Sequence, residues 1–516
     1  MTAPRVTLMM TVRERYGLTL QSIRNVIEHT PIPHRFVFAH GELPAWLDEG
    51  LAGIEREGRI ERRRFPGDPW PQQLRKALAP ELDTEYVAYI DNDITVSPGW
   101  IEKLLECAEA TGAGAVGPLY LWGDGVNPAK VHMAGGRLRE TAGEGGKVLE
   151  EEHRHLDEDP GSLALARGPC DTLEFHCMVL PSALARDGLF DDRIVCVHEH
   201  IDVALTLRER GKPVIFEPAA QVTYLAYVTP NLEDIAMLRH RWDFAAMESS
   251  IAAFGSKWGV ATDDRSFGGL RDYVKDLRTR NDPVKPGSSP EVLATPMKRG
   301  ELPQTPAALL DLARMYGYDA REQLLLRRAS QLAASLFDGG YRPCGRAFVQ
   351  HGLGIAGVLV RFRLSIDIVI EGLLHAAYTH RRMPSATIRD ALVAIHPQVE
   401  IRARAFALRG QMQRAAAIEQ ATPREAEIVA IEAANEIEMR FSGEYDYSGR
   451  PAEMAPAECE RSSAVLRMLG LPGMAETLLT AMATRRAVPP DLQSGIHESY
   501  RLGPGNKPVR MAGGPV

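Results

Sequence analysis

Two carboxylates spaced two residues apart, Asp91 and Asp93, stand at the end of an apolar run in Tyr89-Ile90-Asp91-Asn92-Asp93. Hard oxygen donors at that spacing suit Mg2+ or Mn2+ holding a diphosphate. A solvated Asp-Asn-Asp turn would carry the same letters, so the surroundings must decide. Residues 86–90 are rich in β-branched and aromatic side chains and predict a buried strand. Beyond the pair, Ser97 can cap a helix with Pro98 at its first position, and Trp100, Ile101, Leu104 and Leu105 supply an apolar face. The carboxylates therefore fall where a strand ends and a loop opens, which is where open α/β sheets hold ligands.

The elements that must position this pair alternate. Strands are expected at 6–10, 35–39, 60–65 and 86–90, and helices at 18–28, 43–57 and 71–82. That order implies a mostly parallel α/β sheet with helices on both faces. No GxGxxG or Walker A sequence follows any of these strands, which argues against dinucleotide and P-loop readings. Residues 123–160, rich in Gly, Glu and His, read as a long and partly mobile excursion. Order resumes at Asp171, with strands at 177–180, 214–216 and 222–225 and a helix at 203–210. Residues 263–306 read as a linker. From Ala307 the pattern is helical to about 502, and 503–516 reads as a disordered tail.

Length and composition bound the rest. A chain of 516 residues exceeds one ordinary core. A net charge of −8 argues against a general nucleic-acid binder. The first ten residues lack a signal-peptide pattern, and the apolar stretch 353–378 is broken by Arg361, Arg363, Asp367 and Glu371, so no membrane span is expected. The six cysteines show no framework spacing; reduced thiols in a cytoplasmic protein are the simplest account.

Three segments line up in order. They are Thr11-Val12-Arg13-Glu14-Arg15 after the first strand, Tyr89 to Asp93, and a set running through Leu189-Phe190-Asp191-Asp192, Val197-His198-Glu199-His200-Ile201-Asp202, Leu207-Arg208-Glu209-Arg210-Gly211 and Phe216-Glu217-Pro218. In this arrangement residues 5–260 resemble the family 2 glycosyltransferases of GT-A fold. The resemblance implies transfer of a sugar from a nucleotide-diphosphate donor with inversion, and a metal held by Asp91 and Asp93, with Asp93 the more direct ligand and Asn92 between them. It carries the acceptor-side acidic motif onto Glu199-His200, with Asp202 two residues on. Members usually show Glu-Asp there, so the base is open: Glu199 is the first choice, and His200 could act as base or as metal ligand. Glu199 and Asp202 could instead only favour a helix N-terminus.

Members also carry an aspartate after the second strand that reads uracil. Here Phe38-Ala39-His40-Gly41-Glu42 stands in that place, which implies an altered base pocket near His40. Arg13 and Glu14 are expected beside the nucleoside, unless the arginines are solvated loop charges. His132 is expected to be structural, with an extra donor or metal contact as the alternative, and the His153, Arg154 and His155 cluster, which has the look of a metal site, is expected to be a solvated loop. One of Asp171, Glu174 and His176 could meet the acceptor, and Trp242 is expected in the core.

The C-terminal half is similar to an HD-type helical domain in Phe348 to His351, Gly372 to His375 and Ala434-Asn435-Glu436. Ala376 follows His375 and Asn435 stands where an aspartate is expected, so a degenerate helical domain for dimerisation or acceptor binding is implied. His380 and His396 read as surface or core histidines. The reading is a Mn2+- or Mg2+-dependent inverting glycosyltransferase acting on a soluble acceptor: peptide, natural product or glycan. The alternatives are an inactive sugar-nucleotide-binding scaffold and an HD-type phosphohydrolase.

Overall fold

The structure is a computed structural model that describes residues 3–127, 129–143, 146–228, 230–380, 384–395, 400, 423–484 and 488–511. The chain divides into two compact units, Met1–Arg278 and Thr279–Val516.

The N-terminal unit begins β1 (Val6–Thr11), α1 (Thr19–Glu28), β2 (His34–His40), α2 (Ala45–Arg56), β3 (Glu61–Arg64), α3 (Pro71–Leu78) and β4 (Tyr86–Asp91). These are the alternating elements expected. β1 and β4 are buried along their whole length, as parallel strands covered on both faces must be. There follow β5 (Ile94–Val96), α4 (Trp100–Thr111), β6 (Ala115–Trp122), β7 (Lys130–Met133), β8 (Gly136–Gly143), β9 (Gly146–His153), β10 (Gly168–Pro169), β11 (Cys177–Pro181), α5 (Ser182–Arg186), α6 (Glu199–Glu209), β12 (Val214–Tyr224), α7 (Asp234–Arg241), α8 (Phe244–Trp258) and α9 (Asp264–Asn281). The sheet order is β10-β12-β6-β11-β4-β1-β2-β3. β3, β2, β1 and β4 run parallel, while β11 is antiparallel to both β4 and β6. The core lies between this sheet and helices α1 to α4, around Ile23, Phe38, Leu47, Tyr89, Trp100 and Leu104.

Four expectations are corrected. Ser97 does not cap α4: Trp100 N donates to Ser97 O at 3.2 Å, and the helix opens after Gly99, whose φ of 73° suits glycine. The excursion at 123–160 holds an ordered antiparallel hairpin, β8 paired with β9. Its strands are mostly polar, with only Leu138 and Leu149 turned to a core cluster, so the hydrophobic alternation is weak; Arg139–Glu152 (2.6 Å) and Lys147–Glu140 (3.2 Å) add charge pairs. The strands expected at 214–216 and 222–225 are one strand, β12, with a bulge between Glu217 and Gln221. The expected linker holds α9, whose Phe267 and Val274 are buried beside Phe254 of α8.

The C-terminal unit is mainly helical. Its longer helices are Pro306–Met315, Ala320–Leu336, Phe348–Arg361, Ile366–Leu374, Ser385–Ile395, Pro423–Ser442, Pro456–Met468 and Pro472–Ala483. Helix Phe348–Arg361 is buried around nearly its whole circumference. Gly354 permits a close approach there, since a Cβ would lie 2.6 Å from Glu438 Cγ. Within the expected tail Pro508–Arg510 joins a small sheet, pairing with Tyr500–Leu502, which also pairs with Gly340–Tyr341; residues 512–516 lie outside the described residues. His396 lies outside the described residues. Among the described residues no helix is long and apolar enough to cross a membrane.

Candidate active site

The parallel register sets Thr11 of β1 beside Asp91 of β4. The loops that leave these two strands therefore meet at one end of the sheet. Asn92 locks them together: its Oδ1 accepts from Arg13 N at 2.9 Å, and its Nδ2 donates to Thr19 Oγ1 at 2.7 Å and to Arg15 O. The Asn92 amide is thereby taken up within the protein, so it positions the two aspartates.

Asp91 and Asp93 are fully buried. Neither oxygen of either carboxylate accepts a hydrogen bond among the described residues. Asp91 faces three bases: Arg13 Nε and Arg75 Nη2, each at 3.5 Å, and His176 Nδ1 at 3.2 Å. Donor atoms of Asp91, Asp93 and His176 all lie within 4.8 Å of one another. Burial, with Glu14 and Asp91 as like charges nearby, pushes the Asp93 carboxyl up to about 7. Orphaned buried carboxylates beside an imidazole fit a divalent cation.

Arg13 sits in the site, its guanidinium 3.3 Å from His176 and 5.5 Å from the Tyr224 ring centroid. Arg15 is no solvated charge either; it donates to the carbonyls of Ala226 and Val228 after β12. Glu14 is buried and accepts from Tyr224 Oη and, at 2.8 Å, from Trp242 Nε1. Burial opposes ionisation of Glu14, but Arg13 and Arg15 hold its carboxyl down at about 2. Trp242 is thus a core residue with a polar handle on the site. His40 is buried at the end of β2; its Nδ1 bonds Gly41 O at 2.8 Å and its Nε2 has no partner.

The acceptor-side motif forms the first turn of α6, four residues earlier than expected. His198 precedes it at φ 60°, a left-handed conformation uncommon for a residue with a Cβ. Glu199 is largely buried, with Arg241 Nη2 at 3.4 Å from its Oε1. Asp202 is drawn away from this group. Its Oδ1 accepts from Trp258 Nε1 at 2.8 Å and pairs with Lys257 Nζ at 2.7 Å, tying α6 to α8. Asp202 therefore neither caps the helix nor joins the aspartate pair. His200 Nε2 meets Glu151 Oε2 of the hairpin at 3.0 Å. Burial would lower the His200 imidazole, but Glu174 and Glu151 hold it up at about 10. His200 stands outside the Asp91, Asp93 and His176 group.

Sequence reasoning missed Arg75 and the role of His176. Arg75 projects from α3 over the Phe175 ring at 3.7 Å. His176 reaches Asp91 because its carbonyl accepts from Asp91 N at 3.4 Å as β11 enters the sheet; an unexplained His just before a buried strand was the one local signal. The solvated-loop reading of His153 is overturned, since its Nε2 lies 3.6 Å from both Glu151 Oε2 and Glu174 Oε1. Asp171 serves the hairpin, accepting from Leu138 N at 2.9 Å.

In the C-terminal unit His351 Nδ1 bonds Glu438 Oε2 at 2.5 Å, and its ring meets that of His375 at 5.3 Å. Among the described residues, every group of three metal-ligating side chains lies in the N-terminal unit.

Residues 47–159 match the family model for glycosyl transferase family 2. No curated protein matches the chain. A crystal structure of GalNAc-T7 with UDP, GalNAc and Mn2+ is similar at 14% identity, over 53% of this chain and 54% of its own length, with a TM-score of 0.36. The chain thus spans about half the length of that protein. The matched stretch is similar to that family and holds both Asp91 and Asp93, on the sheet described above.

Proposed function

We propose that the N-terminal unit transfers a sugar, with inversion, from a nucleoside diphosphate donor to a soluble acceptor, and that it needs Mn2+ or Mg2+. The observation that carries this reading is the set of four buried carboxylate oxygens on Asp91 and Asp93, none with a hydrogen-bond donor, beside His176. Asp93 is the more direct ligand, because Arg13 and Arg75 already compensate Asp91. A divalent ion held there neutralises charge that builds on the leaving diphosphate. Arg13 adds a fixed positive charge at the same end of the sheet, and Asn92 keeps the two loops in register. Inversion needs one base near the acceptor oxygen. Glu199 takes that role at the start of α6, because His200 is engaged by Glu151 and Asp202 by Lys257. Self-association through the helical unit belongs to the same proposal and is checked by sedimentation.

The test is slow hydrolysis of UDP-, GDP-, CDP- and dTDP-sugars with Mn2+ or Mg2+, comparing wild type with Asp93→Ala. Metal-dependent hydrolysis of one donor class, lost in the variant, supports the reading. Metal-dependent binding without turnover of any donor favours a sugar-nucleotide-binding scaffold.

A further inference from the structure

A second group of ligating side chains lies beside the aspartate site and shares no residue with it. The hairpin β8–β9 supplies Glu151 and His153, the segment before β11 supplies Glu174, and the first turn of α6 supplies His200. His200 Nε2 is 3.0 Å from Glu151 Oε2 and 3.9 Å from Glu174 Oε1. His153 Nε2 is 3.6 Å from each of the same two oxygens. Two imidazole nitrogens and two carboxylate oxygens thus alternate around one small space. Ligand atoms of a site with metal–ligand bonds of about 2.0–2.1 Å stand roughly 3.3–3.4 Å apart, within the range of these four nitrogen–oxygen distances, and the side chains form two overlapping groups of three that share Glu174: Glu151, Glu174 and His200, and His132, His153 and Glu174.

Two further features favour a cation. Thr172 Oγ1 donates to Glu151 Oε1 at 2.6 Å, which leaves Oε2 aimed at both imidazoles, the support expected for a ligating carboxylate. His132 packs edge-on against His153, with ring centroids 4.9 Å apart; it shares a potential ligand group with His153 and Glu174, and its buried Nδ1 has no partner. A dication would cancel the two facing carboxylates and use the imidazole lone pairs together.

We propose that Glu151, His153, Glu174 and His200 form a second metal site, selective for a borderline cation of the Zn2+ class, with His132 available as a fifth ligand. Mixed nitrogen and oxygen donors suit such an ion better than Mg2+. The site joins the polar hairpin to the first turn of α6 and so fixes the backbone that carries Glu199. The ligand set stands independently of the donor reading; only the consequence for Glu199 rests on it.

The test uses the full chain carrying Asp93→Asn, so that the aspartate site does not contribute to the count. After incubation with Zn2+ and gel filtration, one Zn2+ per chain is expected by elemental analysis. Adding Glu174→Gln should weaken retention at least about 100-fold, and His153→Gln should weaken it as well. Zn2+ should raise the thermal midpoint of the Asp93→Asn chain by roughly 5 °C, and not when Glu174→Gln is added. Co2+ in place of Zn2+ should give the visible absorption of a four- or five-coordinate ion without a thiolate band, which separates this site from the cysteines. If Glu174→Gln does not fold, His153→Gln carries the same comparison. Absence of Zn2+ retention would mean an ion-pair cluster only, and retention unchanged in both variants would put the metal elsewhere; either overturns the proposal.

Discussion

Both units bury carboxylates beside histidine and arginine, yet they satisfy them differently. In the C-terminal unit Glu438 is matched by Arg346 and His351, Glu444 by Arg342, Glu371 by Arg424, and Glu436 by Arg440 and Tyr445. Among the described residues no buried carboxylate oxygen of that unit lacks a hydrogen-bond partner, whereas all four oxygens of Asp91 and Asp93 do. Burying carboxylate oxygens without hydrogen-bond donors is costly even where, as at Asp91, charges of opposite sign stand nearby. A sequence that keeps such groups is spending stability on something outside the chain, while satisfied pairs need no ligand to explain them.

The strongest way to break this contrast is Asp93→Asn. The substitution should cut metal-dependent donor turnover on the order of 10³-fold, since the charge opposite the leaving diphosphate is lost. Thermal stability should hold or rise, because an orphaned buried charge is removed. Turnover within tenfold of wild type, or a clear fall in melting temperature, would place Asp93 with the structural carboxylates.

Glu438→Gln makes the opposite case. It leaves Arg346 without its counter-charge and disturbs the bond to His351, so unfolding free energy should fall by about 3 kcal/mol. Denaturant titration reads this directly. A neutral result would show that the satisfied network is not what holds these helices, and the contrast would lose one side.

The same two kinds of residue explain what could be read in advance. β1 and β4 were legible because fully buried parallel strands appear as apolar runs, and β2 because Phe36 to Ala39 does, whereas β3 at the sheet edge is Glu-Arg-Arg-Arg and is placed by its alternation with the helices. Asp91 and Asp93 were legible because they close one of those runs. The hairpin β8–β9 was not, since only Leu138 and Leu149 turn to the core and the rest of it is polar, with charge pairs across it. Arg75 and His176 are fixed by tertiary register: Arg75 comes from α3, and His176 is placed where β11 pairs with β4. His153 looked solvated because its partner Glu174 is 21 residues away in the chain. Glu199 and His200 were legible as a motif, while the diversion of Asp202 to Lys257 required α8 to be in place.

Acid should sharpen the comparison from the C-terminal side. Burial holds the imidazoles of His375 and His380 down at about 4, against about 6.5 in an unfolded chain. Because their folded values are depressed, the unfolded chain takes up protons first as pH falls. Their contribution to stability is fully present above about pH 6.5 and is lost progressively toward pH 4, on the order of 1 kcal/mol per pH unit for each group. Denaturant midpoints of the full chain at pH 7, 6 and 5 test this. His380→Phe should flatten the profile, and an unchanged slope in that variant would remove His380 from the account.

The smallest test applies the orphan criterion to a single atom. His40 ends β2, next to β1 in the sheet, and its loop leaves from the same end as the loop that carries Arg13. Its Nδ1 is satisfied by Gly41 O, but its Nε2 is buried without a partner. If unpartnered buried groups at this end of the sheet are kept for a ligand, Nε2 meets the nucleobase of the donor, in the place where members of the family that the sequence resembles carry an aspartate. One hydrogen bond to a neutral group contributes about 1 kcal/mol. His40→Ala should therefore raise KM for the donor roughly three- to tenfold with kcat little changed, because the base lies away from the bond that breaks. The rise should be larger for the preferred nucleotide than for the others, which a general loosening of the β2 end would not produce. An equal rise for every nucleotide would make His40 a packing residue, and an unpartnered atom would then mark a ligand only where, as at Asp91 and Asp93, the group also carries charge.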